Sequence, residues 1–254
     1  MLAAYAVGAD KAYIYIRGEY SKAIEVFSEI IEAAKKDKIL ENKLFNSDFK
    51  LELKLVRGAG AYVCGDETSL LNSIEGKRGR SRIKPPYPIE KGLFDKPTVV
   101  NNVESLCCAA EVMNPDTEEF SNLGIEGSRG TKLLCLSGDL NKPGLYEVEF
   151  GEVTLKEIIY ELGGGIKGDQ ELRFVVPGGI STTVIKSEDI DFPYSYQAFE
   201  ERGSSLGSGA VIAVSKKHDL LDLMLNVSRF YMDETCGTCF PCREGNRQIN
   251  KILK

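Results

Sequence analysis

The stretch FKLELKLVRGAGAYVCGDETSLLNSIEG, residues 49–76, decides the fold because it predicts three kinds of local structure in succession. Apolar and charged residues alternate strictly over FKLELKLV, which predicts a half-buried β-strand. Asp66 or Thr68 then stands where a helix cap is needed before an apolar helical segment. Between strand and helix lie three glycines, Gly58, Gly60 and Gly65. The segment therefore predicts a strand that a glycine-rich turn joins to a helix.

The residues before this stretch predict one more strand and one more helix. KAYIYIR, residues 11–17, is rich in aromatic and β-branched side chains, which favours a strand. EYSKAIEVFSEIIEAAKKDK, residues 19–38, places its apolar side chains at helical spacing. A βα unit results, and it indicates an α/β domain at the start of the chain.

The segments after residue 76 predict a surface loop, a helix and a second domain. GKRGRSRIKPPYPIEKGLFDKP, residues 76–97, is basic and rich in proline, as extended surface loops are. Residues 98–113 resume helical character, and the polar residues 114–130 predict a domain boundary. Strands at TKLLCLSG, GLYEVEF and LRFVVPGG, a helix at TLKEIIYELGG and then more polar loop follow in an α+β pattern of about 80 residues.

Composition excludes several classes of function. The chain has 254 residues and a net charge of −6, which argues against nucleic acid or an anionic membrane surface as a partner. No apolar stretch reaches the roughly 18 residues that cross a bilayer, so we expect no direct membrane insertion. His218, the single histidine, leaves little room for histidine-rich zinc sites or a Ser-His-Asp triad.

Seven cysteines are present without a secretory signal, so a disulfide framework is not expected. Cys236, Cys239 and Cys242 follow one another in a C-x2-C-x2-C run, the pattern that iron-sulfur clusters use because each iron needs a terminal sulfur. A zinc site and three structural thiols are the alternatives. We expect the others to be small core hydrophobes: Cys64, Cys107, Cys108 and Cys135.

Other candidate residues have both a functional and a purely structural interpretation. The glycine-rich turn suits nucleotide binding, but it also suits an ordinary tight turn. Lys84 and Tyr87 offer a cation beside an aromatic ring in a proline-rich segment, although a solvated surface is the alternative. Asn101 and Asn102 fit either a helix cap or recognition of a ligand through their amides.

Three segments stand in the order and approximate spacing of one family: RGAGAYVCGDETSLLNSIEGKRGRSRIKPPYP, KPTVVNNVESL and ETCGTCFPCREG. The chain resembles, over nearly its whole length, the NADH-binding flavoprotein subunit of respiratory complex I. The same subunit type recurs in NAD-linked hydrogenases and formate dehydrogenases. The resemblance implies three cofactors: FMN against the glycine-rich segment, NAD(H) stacked on the flavin, and a 4Fe-4S cluster at the cysteine run.

The resemblance also implies a role for individual residues. Glu67, as the catalytic residue, and Lys84 would contact NADH, and Tyr87 would stack on its adenine. Asp66 stands where glutamate is commoner in the family, and with Tyr62 it completes the cofactor-binding set. The residues that would face FMN are Gly58, Gly60, Gly65, Asn101 and Asn102. The cluster ligands would be Cys236, Cys239 and Cys242.

The expected fold class is α/β with three domains. They are a Rossmann-like flavin- and NADH-binding domain at 1–125, a small β-grasp domain at 130–215 and a helical iron-sulfur domain at 216–254. The family's first glycine-rich loop and its fourth cluster cysteine have no counterpart in this sequence. The first and last domains are therefore expected to be partial, and the fourth cluster ligand is expected outside this chain.

The implied function is electron entry. Hydride would pass from NADH to FMN, and single electrons would then reach the cluster and, through partner subunits, quinone or another acceptor. The implied partners are a thioredoxin-like 2Fe-2S subunit and a large iron-sulfur subunit. The implied location is the cytoplasm, peripheral to the inner face of the membrane if the parent assembly is complex I. The alternative is a truncated, non-catalytic fragment that serves only as a scaffold for a redox partner.

Overall fold

The structure is a computed structural model that describes residues 1–40, 47–114 and 120–254. Residues 115–119 of the predicted boundary at 114–130 lie outside this description. The α-helices are α1 (Leu2–Val7), α2 (Ser21–Lys36), α3 (Glu67–Ile74), α4 (Pro88–Lys91), α5 (Val103–Val112), α6 (Leu155–Glu157), α7 (Tyr196–Glu200), α8 (Leu220–Glu234) and α9 (Phe240–Leu253). The strands are β1 (Lys11–Ile16), β2 (Glu52–Arg57), β3 (Gly124–Ile125), β4 (Ser128–Arg129), β5 (Thr131–Gly138), β6 (Gly144–Glu149), β7 (Leu172–Val176), β8 (Ile185–Lys186) and β9 (Ala210–Ser215).

Two compact units make up the chain. The first consists of Met1–Leu106, Ser228–Ile252 and Lys254, so it contains residues from both ends of the sequence. The second consists of Cys107–Val227 and Leu253. The three domain ranges expected from the sequence stay a prediction. Within the described residues, no helix combines the length and the apolar composition needed to cross a membrane.

The first unit is built on a βαβ arrangement. Strands β1 and β2 pair in parallel, from Lys11 opposite Glu52 to Ile16 opposite Arg57, and α2 connects them. The predicted strand at 11–17 and the predicted helix at 19–38 are confirmed. Because parallel strands bring their carboxyl ends to one edge of a sheet, the segments after Ile16 and Arg57 lie at the edge where α/β proteins usually bind ligands.

The second unit contains a five-stranded mixed sheet in the order β6-β5-β9-β7-β8. Strands β5 and β9 are parallel, whereas the other neighbouring pairs are antiparallel. A short helix formed by α6 and residues 158–162 contributes Leu155, Ile158 and Ile159, which are fully buried in the core. This strand order, with a helix packed on the sheet, is that of a β-grasp fold, so the expected fold is confirmed.

Two sequence-based expectations are wrong in the second unit. The polar loop expected after LRFVVPGG contains β9, the apolar run AVIAVS, which lies centrally between β5 and β7. The four cysteines outside the C-x2-C-x2-C run were expected in the core, yet Cys107 and Cys135 are exposed and Cys108 is only half-buried. Cys135 lies on β5, whose residues alternate between buried and exposed, and it occupies an exposed position. Cys64, in the first unit, is buried as expected.

A buried carboxylate joins two neighbouring strands of the β-grasp sheet. Asp139 follows β5 and accepts hydrogen bonds from the backbone N–H of Ser215, at 3.0 Å, and from its hydroxyl, at 2.8 Å. Lys217 Nζ and His218 Nε2 lie 2.6 and 2.9 Å from the same carboxylate. Burial acts to raise the pKa of Asp139, but the bonds from Lys217, Ser215 and His218 outweigh it and hold this pKa well below its usual range.

In the first unit, a buried ion pair fixes the basic loop that follows α3. The Arg82 guanidinium donates to Asn72 Oδ1 and to the carbonyl of Gly92, both at 2.9 Å. Its third nitrogen lies 2.9 Å from Glu75, whose side chain is only 4% exposed. Lys77 Nζ lies 2.6 Å from Glu75 Oε2, and the backbone N–H of Phe94 donates to Glu75 Oε1 at 2.8 Å. The loop is therefore anchored at Arg82 rather than solvated there.

This environment changes the acidity of Glu75. Burial acts to raise its pKa, whereas bonds from Lys77, Phe94 and Arg82 lower it, and the result is a fall from 4.5 to about 2. Since the folded-state pKa lies below the ordinary value, ionised Glu75 stabilises the fold above about pH 4.5. That contribution is lost as the pH falls towards 2.

Asp139→Asn is expected to lower the free energy of unfolding by about 2–4 kcal/mol, because buried donors lose their charged acceptor. The matched control is Asp191→Asn, which removes an exposed carboxylate 2.8 Å from Lys156 in the same unit. The control should leave stability nearly unchanged, since exposed ion pairs contribute little. Urea unfolding followed by circular dichroism measures both. Equal effects of the two substitutions would contradict the assigned role of Asp139.

Glu75→Gln is expected to cost about 1–3 kcal/mol of stability near pH 6, and this cost should fall by about half at pH 3. The reason is that below about pH 4.5 Glu75 takes up a proton in the unfolded chain while it stays ionised in the folded one, so the stabilisation by its charge shrinks. Urea unfolding at a series of pH values gives the difference directly. Glu25→Gln, at an exposed carboxylate 3.6 Å from Lys22, is the control and should show no such pH dependence. A loss of stability that does not change with pH would be evidence against stabilisation by the ionised Glu75 carboxylate.

Candidate functional site

The glycine-rich turn leads from β2 into a short 3-10 turn, Tyr62–Gly65, and then into α3. Of the two cap residues predicted from the sequence, Asp66 and Thr68, it is Asp66 that caps α3. Its Oδ1 accepts from the backbone N–H groups of Thr68, at 3.0 Å, and Ser69, at 2.9 Å. Thr68 Oγ1 donates to the same oxygen at 2.6 Å. Burial raises the pKa of Asp66, but these bonds outweigh it, so the pKa is lowered. The carboxylate that orders the turn is therefore ionised.

The three glycines of the turn have different surroundings. A Cβ on Gly58 would overlap the Tyr15 hydroxyl, so the missing side chain makes room for Tyr15. Gly60 has a φ of +86°, and its Cβ would lie 3.1 Å from the Glu19 carboxylate. Among the described residues, apart from its chain neighbours, no atom lies within 4 Å of the position of a Cβ on Gly65. Gly65 thus offers the open space that a flat cofactor needs, and the predicted FMN contacts of all three stay predictions.

The loop after β1 contributes residues that sequence analysis missed. A Cβ on Gly18 would lie 2.5 Å from the carbonyl of Gly58, so the two loops meet closely at the sheet edge. Arg17 donates to Glu19 Oε1 at 2.5 Å, and Glu19 faces Gly60. The available signal was the parallel pairing of β1 and β2, which brings the two following loops together.

The structure brings Glu67 and Lys84 together. Glu67 lies in the first turn of α3, and its Oε1 accepts a hydrogen bond from Lys84 Nζ. This bond lowers the pKa of Glu67 and raises that of Lys84, so both groups are charged. Tyr87, three residues beyond Lys84, is 53% exposed and precedes α4. A charged pair beside an accessible aromatic ring suits a nucleotide.

The two asparagines lie at the start of α5. Asn102 Oδ1 accepts the backbone N–H of Glu104 at 2.8 Å, which is the helix-cap alternative for this residue. Asn101 is exposed. The role of their amides in binding a flavin stays a prediction.

The cysteine run lies between α8 and α9, with Cys239 at the N-cap of α9 and Cys242 in its first turn. Cys236 Sγ lies 3.4 Å from Thr238 Oγ1. This hydroxyl lowers the pKa of the Cys236 thiol, burial opposes it, and the backbone N–H groups of Thr238, Ser81 and Cys236 lower it further. Such donors stabilise a thiolate.

The three thiols, with polar groups around Cys236 that lower its pKa, match the chemistry of an iron-sulfur site. In such sites N–H groups bond to the cluster-bound sulfurs. Thr235 Oγ1 and Asn246 Nδ2 lie 3.3 and 3.5 Å from Cys242 Sγ. In residues 1–40, 47–114 and 120–254, however, no three side chains of His, Cys, Asp or Glu are gathered closely enough to hold a metal ion. The hydrogen-bond donors therefore suit an iron-sulfur site, whereas the three cysteine sulfurs are not gathered around one metal position.

Helix α8, which leads into the cysteine run, contacts the glycine-rich turn. The Tyr62 backbone N–H donates to Glu234 Oε2 at 2.9 Å, and the Tyr62 and Phe230 rings meet edge-on at 5.1 Å between centroids. The backbone of Ser81 contributes to lowering the pKa of the Cys236 thiol. Sequence reasoning did not find Glu234, Phe230 or Ser81 because no local pattern relates residues so far apart in the chain.

Three family models match the sequence. Residues 1–111 match the Nuo51 FMN-binding domain, residues 132–201 match the SLBB domain, and residues 222–254 match the iron-sulfur binding region of NADH-ubiquinone oxidoreductase-F. The predicted flavin-binding residues lie in the first range and the cysteine run lies in the last. The models agree with the resemblance that the three sequence segments indicated.

Curated relatives match the entire chain. The F subunit of the NADH-quinone oxidoreductase of Aquifex aeolicus (strain VF5) is 42% identical over 254 residues, which is 100% of this chain and 58% of the relative. The F 2 subunit of the NADH-quinone oxidoreductase of Rhizobium meliloti (strain 1021) is 40% identical over 253 residues, 100% of this chain and 60% of the relative. The chain thus spans about three fifths of the length of these relatives.

A solved structure has the same fold. The crystal structure of an NAD+-reducing NiFe hydrogenase in the H2-reduced state superposes with a TM-score of 0.83 at 35% identity, over 99% of this chain and 41% of that one. Family models, relatives and fold agree along the sequence. The chain is a homologue of the F subunits of NADH-quinone oxidoreductases, and it has the fold of a chain of an NAD+-reducing NiFe hydrogenase.

Proposed function

We propose that this chain is the part of an electron-entry subunit that binds NADH and FMN and delivers electrons to a 4Fe-4S cluster. The observation that carries the proposal is the placement of three features in one compact unit: the open turn at Gly65, the Glu67–Lys84 pair and the cysteine run. The backbone of Ser81, in the basic loop, contributes to lowering the pKa of Cys236 in the last of these.

FMN supplies the conversion of a two-electron hydride into single electrons, and the cluster takes these one at a time. The chain's own residues bind and orient. Gly65 leaves room for a flat ring, and Lys84, held in place by Glu67, offers N–H donors to the polar groups of NADH. Tyr87 presents its exposed ring to adenine. The donors around Cys236 keep a thiolate ligand available.

The partners and location are part of the same proposal. We infer contacts with a thioredoxin-like 2Fe-2S subunit and a large iron-sulfur subunit, through which quinone or another acceptor is reached. The location is the cytoplasm, at the inner face of the membrane. The relatives' names, which are those of oxidoreductase subunits, support assembly with other subunits. The domain ranges 1–125, 130–215 and 216–254 are proposed likewise, with support from the matched ranges 1–111, 132–201 and 222–254.

A chimera tests the function. Residues 1–254 replace the matching segment of the Aquifex aeolicus relative, and FMN content and NADH-dependent ferricyanide reduction are measured beside the unaltered relative. We expect bound FMN and activity, because the replaced segment carries the proposed binding residues. A chimera that is folded and binds FMN but does not oxidise NADH would contradict the proposal and favour the scaffold alternative.

Tyr87→Ala in that chimera is expected to raise KM for NADH about 5- to 30-fold, which corresponds to the roughly 1–2 kcal/mol of an aromatic stacking contact. The kcat should barely change, because the adenine contact is the same in the ground and transition states. Tyr87→Phe keeps the ring and should preserve KM. Steady-state kinetics of the three proteins decides, and an unchanged KM in the alanine variant would refute the stacking role.

A further inference from the structure

Glu234 and Phe230 contact one and the same residue of the glycine-rich turn. They are four residues apart on α8, so they lie on one helix face, and both meet Tyr62. The carboxylate of Glu234 accepts the Tyr62 backbone N–H at 2.9 Å, and the Phe230 ring packs against the Tyr62 ring at 5.1 Å. Polar and apolar contacts therefore converge on Tyr62 from one side.

The Tyr62 N–H has a local reason to need this partner. Tyr62 begins the 3-10 turn, and the first N–H groups of a helical turn have no acceptor within the turn itself. The N–H groups of Cys64 and Asp66 bond to the carbonyls of Ala61 and Val63. Glu234 supplies from a distant part of the sequence the acceptor that the turn lacks at Tyr62.

A second contact runs parallel to the first. Two residues after Glu234, the backbone of Ser81 lies beside the Cys236 thiol and contributes to lowering its pKa. The loop at Ser81 is itself held against the start of α3, since the N–H of Arg82 donates to Thr68 Oγ1 at 2.9 Å. The segment Glu234–Cys236 is thus attached to both the residues before α3 and those after it.

We propose that Glu234 and Phe230 form a latch on Tyr62 that fixes the cysteine run relative to the glycine-rich turn. In this role Tyr62, Glu234 and Phe230 are positioning residues that set the separation between the flavin segment and the cluster segment. That consequence for electron passage rests on the proposed function. The latch itself does not, because its contacts involve only residues of this chain.

Hydrogen exchange of the Tyr62 amide in the 254-residue chain, without any cofactor, tests the latch. In Glu234→Ala we expect exchange at Tyr62 to be about tenfold faster or more, because the N–H loses a charged acceptor. Glu234→Gln keeps an acceptor oxygen and should restore most of the protection. Asp233→Ala, at an exposed neighbouring carboxylate, is the matched control and should leave the amide unchanged.

Alkylation of Cys236 provides the second readout. Iodoacetamide modification, located by mass spectrometry, should become several-fold faster at Cys236 in Glu234→Ala and in Phe230→Ala than in the wild-type chain. Unchanged exchange at Tyr62 or unchanged alkylation at Cys236 would overturn the proposal. A uniform rise in exchange across β1 and β2 would also overturn it, since it would indicate loss of stability throughout the unit. None of these outcomes depends on NADH oxidation, so failure of the proposed function would be recognised separately in the chimera.

Discussion

The Tyr15 hydroxyl occupies the space that any side chain on residue 58 would need, and the arrangement of the first unit depends on this close approach. Tyr15 also bonds to Ser73 at 3.0 Å, so β1 is tied to α3 across the glycine-rich turn. Burial raises the pKa of Tyr15, which keeps the phenol protonated and able to donate. One ring thus determines where the strand, the turn and the helix meet.

Charge pairing then sets the loops around that framework. Glu75 and Arg82 anchor the basic loop through a largely buried ion pair, whereas Glu67 and Lys84 form a pair that remains accessible. The difference matters because a buried pair resists exchange of partners, whereas an accessible pair can admit a ligand's polar groups. The same stretch of chain therefore combines a rigid anchor with a binding surface, since Arg82 and Lys84 are only two residues apart.

Sequence periodicity predicted the elements that depend on local patterns and missed those that depend on tertiary contacts. The strands β1, β2, β5, β6 and β7 and the helices α2 and α3 follow from alternation, helical spacing and capping residues. β9 was missed because five apolar residues after a polar loop carry too little periodicity to be recognised. At the site, Asp66 was identifiable from its position before an apolar helix. Gly18, Glu19 and Glu234 were not, because their roles arise only when distant segments pack together.

The central position of β9 has a consequence for how the protein is made. The sheet's middle strand is the last of its strands to leave the ribosome, so β5 and β7 have no common neighbour until Ser215 has been synthesised. Contacts between residues so far apart in sequence form slowly, because a long loop must close before they contribute. The first unit is completed later still, since Ser228–Ile252 belong to it. Nascent chains therefore carry unpaired edges of β5 and β7 until β9 has been synthesised, the state in which aggregation competes with folding.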